Sequence, residues 1–94
     1  MTRLRSEHYT IPDHVLFREL DGEAVLLDLE GEMYFGLDEV GTRVWHGLSD
    51  SGTAEAALEA VLQEFDVSRE VLERDVATLL EELVSRGLIE PVSR

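Results

Sequence analysis

Two apolar runs, residues 15–20 and 23–29, meet at Asp21-Gly22. Asp-Gly between such runs predicts a two-residue hairpin, because both central residues of a type I′ turn need positive φ. A third run, residues 32–37, follows Glu30-Gly31. That dipeptide is a weaker form of the same signal, since only its glycine takes positive φ without cost. The three runs predict an antiparallel meander whose last strand, residues 33–37, feeds a helix beginning with Val40, Val44 and Trp45. Such a meander has two open edges, and natural proteins usually cover or blunt unpaired edge N–H and C=O groups. What covers the third strand is the question this chain raises.

Side chains alternate between the faces of a strand. Met33, Phe35 and Leu37 therefore share the face expected to meet the helices, and Glu32, Tyr34 and Gly36 share the other. In the second strand Val25, Leu27 and Leu29 oppose Ala24, Leu26 and Asp28, so both faces are largely apolar and burial need not be one-sided. Gly36 reads either as a point of close backbone approach or as a bend before the helix.

Three helices follow. Asp38 caps the first, with Glu39 in its first turn, and Val40, Val44, Trp45 and Leu48 form one apolar face. Trp45 reads most simply as a core anchor. Residues 49–52, Ser-Asp-Ser-Gly, make a turn. Thr53 caps a second helix carrying Leu58, Val61, Leu62 and Phe65, and Ser68 caps a third that runs to about Arg86, with Gly87 as its left-handed end. Leu88-Ile89 is placed to fold back as a short strand or cap before Pro91. On the third helix Leu72, Val76, Leu79, Leu80, Leu83 and Val84 span an arc of roughly 140°, wider than the ~100° stripe one core face needs. Either this helix is central, packing on both sheet and helices, or one flank of the stripe lines a groove. Residues 1–14 show no periodicity and read as an extended lead-in to a single domain over 15–94. The fold class is α+β and winged-helix-like, a three-stranded antiparallel β-meander followed by three α-helices.

Composition narrows the chemistry. Acids outnumber bases 21 to 8, every base is arginine, and the formal net charge is -13. Residues 19–39 hold eight acids and no base, a surface that repels a phosphate backbone. That surface serves solubility or steers a basic or neutral peptide. With no cysteine there is no disulfide, thiolate metal site or thiol nucleophile. His8, His14 and His46 lack metal-ligand spacing, and no Walker loop, GxSxG or GxGxxG occurs. No cofactor and no enzyme activity are expected, for want of a convergent constellation. No apolar run reaches the ~18 residues of a membrane span. The N-terminus has no signal-like apolar core, so a cytoplasmic location is expected.

Residues 23–48 carry a more specific pattern. Met33-Tyr34-Phe35, Leu37-Asp38, Gly41 and Val44-Trp45, together with Asp75-Val76, Leu79-Leu80, Leu83 and Gly87-Leu88, resemble the PqqD-like family. Its members are recognition domains for the leaders of ribosomally made, post-translationally modified peptides. The chain looks most like the stand-alone type of lasso-peptide clusters. The resemblance implies a non-catalytic protein that holds a precursor's leader and presents it to a separate leader peptidase and a cyclase. A peptide chaperone of pyrroloquinoline-quinone synthesis is the nearest alternative. A winged-helix regulator is the other, and the acidic second helix argues against it. Strand addition to the third strand is the implied mode of binding. The residues implied are Glu32, Met33, Tyr34 and Phe35 from the strand, and Leu72, Asp75, Val76 and Leu79 from the third helix. Phe35 and Val76 are the ones most easily read as core. Asp75 reads as a partner for a polar group of the leader or as a solvated helix acid.

Overall fold

The structure is a computed structural model and describes residues 8–92. Of the extended lead-in expected over residues 1–14, residues 1–7 lie outside them, and Tyr9–Thr10 form a short paired strand. In order the elements are β1 (Tyr9–Thr10), β2 (Val15–Leu20), β3 (Glu23–Asp28), β4 (Met33–Leu37), α1 (Glu39–Ser51), α2 (Ala54–Glu64), α3 (Arg69–Ser85) and β5 (Glu90–Pro91). β2, β3 and β4 form a three-stranded antiparallel sheet in that order, and three helices follow it. This is the α+β arrangement that the meander signal and the helix periodicities imply.

The first hairpin forms as its sequence requires. Asp21 and Gly22 take φ of 57° and 82°, and Leu20 stands opposite Glu23. The second hairpin differs from expectation. Its loop takes in residues 29–32, and the positive φ falls on Glu32, at 56°, instead of on Gly31. Glu32 thus belongs to the loop and not to the strand. The physical reason is Asp28. Its carboxylate, with the residue only 9% exposed, accepts hydrogen bonds from the backbone N–H groups of Glu30 and Gly31, each 3.1 Å long. Such an Asx-type turn organises the loop from its first residue and leaves the glycine without a special conformation. A Cβ on Gly31 would lie 2.8 Å from Oδ2 of Asp28, so a small residue is still needed there.

Every expected cap is in place. Asp38, Thr53 and Ser68 accept hydrogen bonds from the backbone N–H groups of Gly41, Ala56 and Val71. α3 ends with N–H of Gly87 donating to the Val84 carbonyl and N–H of Leu88 donating to that of Leu83, with φ of Gly87 at 75°. That is the paired pattern of a Schellman end, and it turns Leu88 and Ile89 into the core, where both are buried. Pairing then falls on Glu90–Pro91 against Tyr9–Thr10, two residues later than the Leu88-Ile89 pair suggested. The Tyr9 N–H donates to the Gly52 carbonyl, so both ends of the described chain meet at the α1–α2 turn.

α1 covers the sheet. Trp45 is 3% exposed and stacks on Phe17 of β2 at 6.3 Å and 10° between ring planes. Beside it His46 Nε2 lies 2.9 Å from Oε1 of Glu19. α2 packs on α1 so closely that a Cβ on Gly47 would stand 2.6 Å from the Ala56 carbonyl oxygen. Arg69, at the start of α3, reaches Glu55 and Glu59 of α2. The hydrogen bond with Glu59, then the one with Glu55, raises its guanidinium above the ordinary value. The core these elements share includes Leu26, Leu58, Leu80 and Leu83, all fully buried. In β3 burial is one-sided. Ala24, Leu26 and Asp28 are buried, while Val25 is 38% exposed.

Candidate functional site: an open strand edge beside a groove

The tight first turn determines which backbone groups of β4 are free. A two-residue turn closes on a hydrogen-bonded pair, here Leu20 with Glu23. Antiparallel pairs alternate between bonded and non-bonded, so Arg18 with Val25 and Leu16 with Leu27 are bonded too. That leaves the backbone groups of Ala24, Leu26 and Asp28 pointing at β4, where they face Leu37, Phe35 and Met33. The N–H and C=O of Tyr34 and Gly36 consequently point off the sheet. Among the described residues no strand pairs with them.

Alongside that edge runs a groove of about 610 Å³. Phe35, Gly36 and Leu37 form its strand side, and Asp38, Val40 and Gly41 its floor at the start of α1. α3 supplies Asp75, Thr78, Leu79 and Glu82. Spacings of four, three and four residues put Asp75, Leu79, Glu82 and Arg86 on one stripe of that helix. Arg86, at the C-terminal cap of α3, lies over Phe35. Its guanidinium lies 5.1 Å from the centre of the Phe35 ring and is paired with Glu82 at 3.1 Å. The groove is thus apolar in its depth and acidic along its rim, with one arginine over Phe35.

The residues implied from sequence divide between five places. Phe35, Asp75 and Leu79 come together in the groove, Phe35 and Leu79 half-buried and Asp75 exposed. Tyr34 is 78% exposed and projects from the outer face of the sheet, contributing its backbone to the edge. Met33 has the parity of the helix-facing set but is 47% exposed, and Glu32 sits in the loop before it. Leu72 and Val76 are 4% and 1% exposed and pack within the core. The sequence marks none of Val40, Thr78, Glu82 and Arg86 as a site residue. The signal for the last two was present: both continue the stripe that Asp75 and Leu79 begin.

Among the described residues no three of His, Cys, Asp or Glu could hold a metal ion, and no helix is long and apolar enough to cross a membrane. What the arrangement does offer is two residues' worth of free strand edge with a side-chain slot beside it.

Known proteins share this architecture. The structure called "TbiB1 in Complex with the TbiA(beta) Leader Peptide" superposes with a TM-score of 0.79 at 37% identity, covering 89% of this chain and 98% of that one. A second, "Lasso peptide synthetase B1 complexed with the leader peptide", has a TM-score of 0.77 over 89% of this chain and 99% of its own, and at 24% identity it speaks to the fold alone. A search of the curated proteins found no match. The pattern of the family described as Coenzyme PQQ synthesis protein D (PqqD) matches residues 23–89, from the first residue of β3 to the buried Ile89. With the edge strand, the groove and all three helices inside that match, the chain belongs to the PqqD family.

Proposed function

We propose that this protein binds the leader of a ribosomally synthesised precursor peptide, of the lasso-peptide kind, by adding it as an antiparallel strand to β4. The observation that carries the reading is the free edge at Tyr34 and Gly36 directly beside the groove. The leader-peptide complex of the 37%-identical TbiB1 supports it.

Magnitudes say how the work is divided. Tyr34 and Gly36 each offer one N–H and one C=O, so four backbone hydrogen bonds form, each worth about 0.5–1.5 kcal/mol net. Ordering the backbone of a disordered segment costs about 1–2 kcal/mol per residue. Over the five residues facing β4 the bonds do not offset that cost. Side chains must supply the difference, and each apolar side chain buried adds about 1.5–3 kcal/mol. The register decides which ones. Leader residues opposite Phe35 and Leu37 point into the groove, two positions apart, while those opposite Tyr34 and Gly36 point outward. Backbone pairing aligns the leader, and the inward pair provides affinity and selectivity.

The protein then presents the bound leader to a separate leader peptidase and a cyclase and carries out no chemistry itself. The family description also fits a second reading, a peptide chaperone in pyrroloquinoline-quinone synthesis; the same edge would then take a different peptide.

Fluorescence polarisation with labelled TbiA(beta) leader peptide tests the reading. Saturable binding that is lost on Tyr34→Pro, which removes one outward N–H, is expected. Failure to bind this leader or any other leader peptide, alongside binding of duplex DNA, would overturn it in favour of a regulator.

A further inference from the structure

Glycine at position 36 has no explanation within the chain. It is not among the glycines with positive φ, so its backbone suits any residue. A Cβ built there meets nothing within 4 Å, so no neighbour requires its absence. The turn into α1 is made by Asp38, whose φ of -78° and ψ of -171° lead directly to the first helical residue, so Gly36 is not the pivot. Glycine in a strand nevertheless costs about 0.5–1 kcal/mol relative to alanine. A residue kept at a cost, with room for a side chain and no internal need, points to something outside the chain.

Its surroundings say what. Gly36 lies on the outer face of the sheet, in register with Val25, which is 38% exposed, and two residues from Tyr34, which is 78% exposed. It leaves a bare spot on the edge strand, with Tyr34 beside it along β4 and Val25 across from it on β3. In a bonded antiparallel pair the partner's Cα comes to about 5.5 Å, and large side chains reach both direct and diagonal neighbours. We propose that Gly36 is a notch for a large apolar or aromatic side chain on the outward-facing side of the added strand, which lies across the bare backbone against Tyr34 and Val25. This rests on the strand-addition reading. It adds a second selectivity element on the face of β4 opposite the Phe35 and Leu37 side chains, while the Gly36 backbone stays at the edge of the groove. The bound segment is then gripped from both sides, with small outward residues penalised and not merely tolerated.

The test uses a display library of random twelve-residue peptides selected on the full chain and on Gly36→Val, with Kd values for the winners. Since nothing crowds position 36 and valine favours strands, the variant should melt no lower than the parent. Peptides selected by the parent should carry an apolar pair two residues apart and, at a position of opposite parity, a large apolar or aromatic residue. Gly36→Val should weaken those peptides about three- to tenfold more than it weakens versions with alanine at the outward position, the worth of an aromatic contact. Peptides that show the inward pair but no preference outward, or that bind both proteins equally, would overturn the notch while leaving strand addition intact. Recovery of no peptide by either protein would remove both.

Discussion

Two junctions in this molecule are built from similar elements and end differently. Where α1 meets α2 there is no slack, because Gly47 lets the backbones approach until a Cβ would stand 2.6 Å from Ala56 and Ala57. Where α3 passes β4 a groove of about 610 Å³ remains, with Arg86 over Phe35. At the first junction small residues face each other and nothing polar is left over. At the second an edge strand still has backbone groups to satisfy, and the helix presents Asp75 and Glu82 along the same stripe as Leu79. A domain of this size closes where closing buries only apolar surface, and stays open where closure would strand peptide groups and carboxylates away from water.

The comparison breaks if the closed junction proves tolerant. Gly47→Leu should be the most damaging change, costing about 4 kcal/mol or more because the obstructing atoms are backbone. Thermal melting would show the loss, and a variant that melts like the parent would contradict the packing described. Along α3 the same contrast can be drawn within one helix. Leu72→Ala, in the core, should cost about 2–5 kcal/mol while leaving the affinity of the folded protein for a leader unchanged. Leu79→Ala, in the groove, should cost less than about 1 kcal/mol of stability yet weaken leader binding about tenfold. Melting and polarisation measured on both variants separate the two effects, and equal losses in both would erase the distinction. Between the two in stability lies Asp28→Ala, which removes the acceptor for two loop amides at a cost of about 1–2 kcal/mol in thermal melting, with Asp28→Asn recovering most of it.

These regions were not equally legible. The first turn, the three helix starts and the end at Gly87 follow from local chemistry, so Asp21-Gly22, Asp38, Thr53 and Ser68 could be read directly. The second loop departs from the Glu-Gly signal because its organiser, Asp28, is by pattern one more strand residue. Only its hydrogen bonds to residues 30 and 31 reveal it. The pairing of Tyr9–Thr10 with Glu90–Pro91 leaves no periodic trace, since two residues cannot display a period. The width of the α3 stripe was plain, but which flank remained uncovered depends on the angle between that helix and the sheet. Local pattern does not encode that angle. For this reason Leu79 and Leu72, alike in sequence, end in different places.

The central claim concerns individual backbone amides, so amide hydrogen exchange followed by NMR tests it most directly. In the free protein the amides of Phe35 and Leu37, bonded to β3, should exchange slowly, while those of Tyr34 and Gly36 exchange near the rate of an open chain. Adding a leader peptide should protect Tyr34 and Gly36 and change the other two little. Tyr34 and Gly36 already protected without peptide, or still unprotected when peptide is bound, would contradict the account.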